Sequence, residues 1–296
     1  MFVKVRAWFS ATFLDLAQQM RWSFLPPLMV YFAAGLSGAT AIVGTFFVKE
    51  YLGLSAAFLS GLAFWAGLPW ALKMPLGHLV DLIWRWKMLL IYLGAGLIAA
   101  SVGIMYALVT MPTLMSQLMP LEAWYVLSVL LAPAGYVLQD AVADAMSLDS
   151  VPKVDNTGAP LDAQSSKALH TTMQTLGRFA LISGLVTVAA INIFLFEGIE
   201  TLNAQEKAAI YAQVYLLAFI IPVVSVAGAV LAEISRWRQT SAMRQRGMTE
   251  IQIEELLRQD GEKVEANYWY FGGGLAFILL TLAIGLGDIP FSQEIV

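Results

Sequence analysis

The chain has 296 residues, of which 59% are hydrophobic and 13% charged, and its mean hydropathy is +0.70. Water-soluble domains are about half apolar and about a quarter charged. This composition, with a net charge of -4, excludes a secreted disulfide scaffold, a basic nucleic-acid-binding domain and a disordered acidic tail. It predicts an all-α, polytopic membrane protein.

Few residues in the chain could support metal or nucleophile chemistry. There is no cysteine, and the two histidines, His78 and His170, are far apart without ligand-like spacing. No phosphate-cradling glycine loop is present. We therefore expect no metal, no cofactor and no enzymatic activity, and we expect no nucleic acid among the partners.

Seven stretches are long and apolar enough to cross a bilayer, which takes about 20 residues per helix. The first opens with Pro26 and Pro27, which suit the first turn of a helix because the amides that they lack would have no intrahelical partner there. It is too long and too far from the N-terminus for a cleavable signal. The predicted spans are residues 25–48, 53–76, 88–111, 121–145, 171–196, 208–232 and 268–287.

Lysine and arginine are distributed unevenly between the loops. The chain has 17 of them. With the N-terminus in the cytoplasm, fourteen fall on the inner side, Lys49 and Lys207 on the outer side, and Lys73 within a span. The positive-inside rule therefore predicts a cytoplasmic N-terminus and, after seven spans, an external C-terminus, in the inner or cytoplasmic membrane of a cell.

The segments outside the spans give a predicted domain order. Residues 1–22 have the apolar periodicity of a helix lying in the membrane interface. Residues 23–232 form a six-helix bundle, residues 233–266 a cytoplasmic linker in which Thr249 caps a short helix, and residues 267–296 a seventh span and tail.

Ionisable residues within spans are costly and are candidate functional sites. Lys73, Asp140, Asp144 and Arg178 lie at similar predicted depth, and the two aspartates share one helix face because they are four residues apart. The four charges could form a neutral cluster that binds substrate or couples protons, or a salt-bridge network that ties three helices together. Gln174 joins the candidate set, although polar residues in spans often only bond a neighbouring helix.

The segment between the second and third spans has a distinctive pattern. Gly77 is followed by Asp81 four residues later and then by Arg85 and Lys87, in a predicted tight turn. This pattern resembles the cytoplasmic loop signature of the major facilitator superfamily, although Ile83 and Trp84 replace the usual compact basic turn. The resemblance implies that these four residues form a gate controlling alternation of the two sides.

A second resemblance narrows the family. The end of the fourth span, from Gln139 to Ser147 with both aspartates, is similar to the paired-aspartate motif of folate-biopterin transporters, and residues 65–77 resemble their second span. The resemblance implies secondary active transport of a pterin-like or other small organic solute by alternating access. It is compatible with proton coupling, that is, with symport. Membrane lipids and the solute are then the expected partners.

Transporters of this kind have two six-helix halves, with the substrate site between them. Seven spans give one half and one further helix. We expect either a fragment of a longer protein, completion of the fold by a second copy or another membrane subunit, or reuse of the fold as a non-transporting assembly subunit of a membrane complex, for example a photosynthetic one.

Overall fold

The computed structural model describes residues 19–47, 52–152, 161–257 and 265–286. Within these ranges the regular structure is helical and no strand occurs. Three short 3-10 segments cover Trp22–Phe24, Leu36–Thr40 and Ile199–Thr201. The α-helices are α1 (Leu25–Gly35), α2 (Ala41–Phe47), α3 (Ala56–Ala71), α4 (Lys73–Leu82), α5 (Met88–Thr110), α6 (Pro112–Leu118), α7 (Leu121–Asp149), α8 (Ala163–Leu195), α9 (Ala204–Ala218), α10 (Ile220–Gln245), α11 (Glu250–Leu257) and α12 (Tyr268–Leu286).

Four helical segments of the described chain are long and apolar enough to cross a membrane: Met88–Thr110, Leu121–Asp149, Ala163–Thr201 and Ala204–Gln245. They correspond to the third to sixth predicted spans, the third ending one residue earlier than predicted. The prediction of an all-α polytopic membrane protein is thus confirmed. The first predicted span corresponds to α1, a 3-10 segment and α2. The second corresponds to α3 and the start of α4, and the seventh to α12. That the first, second and seventh spans cross the membrane stays a prediction.

Glycines set the closest helix crossings. A Cβ atom added at Gly94 in α5 would lie 2.6 Å from the carbonyl oxygen of Gly135 in α7, and one added at Gly135 would lie 2.5 Å from the carbonyl oxygen of Gly94. Gly35 in α1 and Gly184 in α8 lie at a similar crossing, where added Cβ atoms would clash with the carbonyl oxygens of Leu181 and Phe32, respectively. Since real Cβ atoms do not approach backbone so closely, both helix pairs depend on the missing side chains.

Polar side chains link the helices that cross at these glycines. Gln139 in α7 is buried; its amide nitrogen donates to the carbonyl of Ile91 in α5 over 3.3 Å, and its oxygen accepts from the hydroxyl of Ser225 in α10 over 3.0 Å. Ser101 and Ser128 join α5 to α7 further along. Because water cannot reach such groups at membrane depth, each bond also satisfies a donor or acceptor that would otherwise be costly.

The two ends of the bundle are named here by residues. The Lys87 end contains Pro26, Lys87, Asp149 and Arg236, which line a common pocket. The opposite end, which contains Tyr125 at the start of α7, is the Tyr125 end.

The predicted interfacial helix lies outside the described residues except for its end at residues 19–22. The predicted linker begins inside a helix, because α10 continues to Gln245. The predicted Thr249 cap is present: the Thr249 hydroxyl accepts from the amide of Gln252 over 3.4 Å, and the Gln252 side chain accepts in return from the Thr249 amide over 3.0 Å.

The long helix α8 has a carboxylate cap. The side chain of Asp162 accepts from the amides of Gln164 and Ser165, each over 2.9 Å, and from the hydroxyl of Ser165 over 2.6 Å. The hydrogen bonds from Ser165 hold the pKa of Asp162 below its ordinary value.

We expect Asp162→Ala to fray the first turn of α8 at neutral pH. Because the pKa is lower in the folded state, the stabilisation by the cap is present above the unfolded-state pKa of about 4 and is lost as the pH falls through the folded-state pKa. Hydrogen exchange at the Gln164 and Ser165 amides measures both effects. Protection in the variant equal to the wild type at pH 7 would contradict the assignment.

Candidate functional site

The position of Lys73 follows from a helix break that Pro75 causes. Pro75 lacks the amide that would bond the carbonyl of Ala71, and its ring would collide with that carbonyl in a continuous helix. The helix therefore breaks at Leu72, which closes a 3-10 turn onto the carbonyl of Pro69 over 3.1 Å. A new helix, α4, then begins at Lys73 and packs against α7.

Lys73 lies between the two aspartates of α7. Its Nζ atom is 2.6 Å from Oδ2 of Asp140 and 2.9 Å from Oδ2 of Asp144. The four-residue spacing places both carboxylates on one face, and a single ammonium group between them offsets their repulsion. We call these three side chains and Tyr31 the Lys73 cluster.

Tyr31 brings a third element to the cluster. Its hydroxyl in α1 donates to Oδ1 of Asp144 over 2.7 Å. The ring of Tyr31 packs on Gly177 of α8, where an added Cβ would lie 3.0 Å from two ring carbons. The glycine thus leaves the space that allows the tyrosine to reach α7.

The cluster is partly open and formally charged. The side chains of Lys73, Asp140 and Asp144 are 42%, 14% and 50% exposed, and one cation against two carboxylates gives a formal charge of -1. Asp140 lies nine residues before the end of α7 at Asp149, about 14 Å along the helix axis. The arrangement can exchange an ammonium contact for a proton or another cation.

The structure differs from the predicted four-charge cluster at Arg178. Both Arg178 and Gln174 lie on α8 with exposed side chains, and neither makes a hydrogen bond or ion pair within the described part of the chain. The reason is rotational: Gly177 faces Tyr31, and the next residue lies about 100° further around the helix. A role of Arg178 and Gln174 in binding solute stays a prediction.

The predicted gate residues begin on a helix and not in a turn. Gly77 and Asp81 both belong to α4, which begins at Lys73 and ends at Leu82; the turn covers only residues 83–87. Partial burial raises the pKa of the Asp81 carboxyl above its ordinary value, although His78 and Lys87 oppose the rise.

The two basic residues of this segment have different surroundings. Arg85 is exposed and lies near the linker, where its charge helps Arg244 to hold the pKa of Glu250 below its ordinary value. Lys87 is 2% exposed, and its ammonium pairs with the carboxylate of Asp149. The pair joins the start of α5 to the end of α7 at the Lys87 end.

An aromatic side chain completes the surroundings of Lys87. The ammonium lies 5.7 Å from the ring centroid of Trp84, and the guanidinium of Arg236 in α10 stacks 4.2 Å from the same ring. Cation–π contacts of this kind add to an ion pair where water is scarce. The Lys87 end thus joins α5, α7 and α10 through three charged groups and one ring.

Sequence reasoning missed the partner roles of Asp149, Arg236 and Ser225. An aspartate at the end of a long apolar stretch, as at Asp149, was a usable signal for a partner of a nearby lysine. No sequence signal indicated Ser225, because serines in apolar helices are common and which one meets Gln139 depends on the helix crossing.

One curated protein resembles part of the chain. It is a folate-biopterin transporter of Synechocystis sp. (strain ATCC 27184 / PCC 6803 / Kazusa), which is 37% identical over 62 residues. That segment is 21% of this chain and 13% of the transporter's length. No protein-family model and no solved structure matches the chain. The similarity supports a membrane protein of transporter-like character and leaves the family open.

Proposed function

We propose that this protein is a secondary active transporter of a small organic solute, which works by alternating access. The observation that carries the proposal is the Lys73 cluster, in which one ammonium group contacts two carboxylates next to the lipid-crossing part of α7. Ionisable groups at such positions are costly and are retained where a solute or ion passes.

The chemistry of the cluster suits coupling to protons. A proton on either carboxylate cancels the formal charge of -1 and weakens that carboxylate's hold on Lys73. The Tyr31 hydroxyl, which now donates to Asp144, also links any such change to α1. One protonation event therefore alters contacts among α1, α4 and α7, which is the kind of differential contact that a shift between two conformations requires.

Pterin-like compounds are the solutes that we propose. The support is the similarity to a protein whose name is folate-biopterin transporter, together with the resemblance of the paired aspartates and of residues 65–77 to that family. The basic segment with Arg85 and Lys87 would then lie on the cytoplasmic side, with Gly77, Asp81, Arg85 and Lys87 as the gate of a major facilitator fold.

Uptake of labelled folate and biopterin, in cells that carry or lack the gene, tests this proposal. We expect Asp140→Asn to lower uptake about tenfold or more, because an interaction of about 1.4 kcal/mol corresponds to a factor of ten. Glu250→Gln is a matched control: it removes one partner of the Arg244 ion pair, 2.6 Å long and exposed, far along the chain in α11. Uptake unchanged by both Asp140→Asn and Arg178→Ala would contradict the proposal.

Proton coupling has its own test in the same cells. Collapsing the pH gradient with a protonophore is expected to abolish accumulation in the wild type. In a variant that still exchanges solute but cannot bind the proton, exchange is expected to be insensitive to the protonophore. Accumulation that persists without a pH gradient would exclude the proton as the coupling ion.

A further inference from the structure

A half-open cavity with several hydroxyl groups in its lining lies away from the Lys73 cluster, toward the Tyr125 end. It has a volume of about 170 Å³ and is lined by residues of α2, α5, α7 and α9 with the end of the 3-10 segment at Thr40. Ser128, which lines it, precedes Asp140 by 12 residues of α7, about 18 Å along the axis. The two sites are therefore separate.

Two tyrosines make this cavity unusual. The side chains of Tyr125 and Tyr215 line it and are 8% and 1% exposed. Neither hydroxyl has a hydrogen-bond partner among the described residues. The two hydroxyls face the cavity with their protons unused by the described chain, so they are available to bind polar groups other than the chain's own.

The space in front of Tyr215 depends on a glycine. A Cβ atom added at Gly44 in α2 would lie 3.9 Å from the Tyr215 hydroxyl oxygen, which is an ordinary contact distance. The Tyr215 hydroxyl thus points at the bare backbone of α2, and only a side chain longer than alanine would fill the gap.

The serine pair forms a second polar part of the lining, with Ser128 one turn along α7 from Tyr125. The Ser101 hydroxyl donates to the carbonyl of Ser128 over 2.8 Å, the Ser128 hydroxyl donates to the carbonyl of Ser101 over 3.1 Å, and the two hydroxyl oxygens are 3.0 Å apart. With their protons used in this way, the oxygens keep lone pairs that can accept. The cavity offers donors from the tyrosines and acceptors from the serines.

Charge and size restrict the ligand. None of the described residues that line the cavity carries a charge at neutral pH. A charged ligand would therefore be desolvated there without a counter-ion. The volume is below the roughly 300–1,000 Å³ of sites for drug-sized ligands. A folate-sized solute does not fit.

We propose that this cavity binds a small neutral molecule that carries hydroxyl groups, of the size of a three-carbon polyol, between the Tyr125 and Tyr215 hydroxyls and the Ser101–Ser128 pair. A hydroxyl group both donates and accepts, as the tyrosine donors and serine acceptors require, whereas a carboxylate only accepts. The inference does not depend on the proposed transport of pterins.

Fluorine NMR of the full chain in lipid nanodiscs, labelled with 3-fluorotyrosine and titrated with glycerol, tests this inference. The signals of Tyr125 and Tyr215, assigned from Tyr125→Phe and Tyr215→Phe, are expected to shift saturably. Tyr211 is an internal control, since it is 2% exposed but does not line the cavity. Glycerate, a charged analogue of equal length, is expected to give no saturable shift.

Two variants separate binding from folding. Gly44→Leu is expected to abolish the saturable shift by filling the space. Tyr215→Phe keeps the ring and is expected to weaken glycerol binding, read at the Tyr125 signal, by threefold or more. Shifts that stay linear in concentration, that appear equally at Tyr211 or that glycerate reproduces would show a cavity that holds only water, and would overturn the proposal.

Discussion

Replacing Lys87 by methionine is expected to lower the free energy of unfolding by about 2–4 kcal/mol. The Lys87 side chain is 2% exposed and its ammonium pairs with Asp149, whose side chain is 30% exposed. Removing one partner of a fully buried pair costs about 3–5 kcal/mol, because the other charge is left unpaired, and the partial exposure of Asp149 lowers this value.

Two further contacts of Lys87 add to this effect. Asp149 is the last residue of α7, so the ammonium also lies near helix carbonyls that have no intrahelical partner, where a cation is favoured. The Trp84 ring provides the cation–π contact. Methionine has a similar length and keeps the apolar contacts, so the loss isolates the charge.

Reversible unfolding in mixed micelles, followed by tryptophan fluorescence, measures the effect. The double variant Lys87→Met/Asp149→Asn is expected to recover much of the loss, since it leaves no unpaired charge. Glu250→Gln is again the control, because the Arg244–Glu250 pair is exposed and screened by water, and little change is expected. A Lys87→Met variant as stable as Glu250→Gln would show that the buried pair contributes nothing.

The contacts of the Lys73 cluster could be partly predicted from the sequence. The spacing of Asp140 and Asp144 and the similar depth of Lys73 are local properties, and the ion pairs have the predicted partners. The position of Arg178 could not be predicted, because which face of α8 turns inward depends on the packing of Gly177 against Tyr31. That contact joins residues 146 positions apart.

Helix boundaries explain the other differences. The predicted fourth span ended at residue 145, whereas α7 continues to Asp149 and so carries the partner of Lys87. The predicted loop after the second span began near Pro75, which the structure places in the first turn of α4. Hydropathy marks where a helix leaves the lipid and not where its hydrogen bonds end, so hydropathy alone assigns polar helix ends to loops.

Gly135→Ala is expected to be more damaging than its small size suggests, with a loss of about 3 kcal/mol or more in the free energy of unfolding. Overpacking a tight contact typically costs about 1–3 kcal/mol when side chains can move aside. Here the new methyl group would lie 2.5 Å from the carbonyl oxygen of Gly94 and 2.8 Å from Cγ1 of Ile98. Backbone cannot rotate away, so α5 and α7 must separate.

Separation of α5 and α7 has a further consequence at Gln139. Its amide reaches the carbonyl of Ile91 over 3.3 Å, near the limit of a hydrogen bond, and its Cγ atom is 2.8 Å from a Cβ added at Gly94. A small shift of α5 breaks this bond and leaves a buried amide without one partner. Gly94→Ala is therefore expected to cost a similar amount.

Gly96→Ala is the matched control. This glycine lies on α5, as Gly94 does, and nothing lies within 4 Å of a Cβ added there. It is expected to be neutral or slightly stabilising, since alanine is the better helix former. The double variant Gly94→Ala/Gly135→Ala is expected to cost less than the two single losses added together, because one separation of the helices relieves both clashes. Equal stability of Gly135→Ala and Gly96→Ala in mixed-micelle unfolding would contradict the close backbone crossing. A loss of stability in the double variant equal to the sum of the two single losses would show two independent clashes in place of one shared displacement.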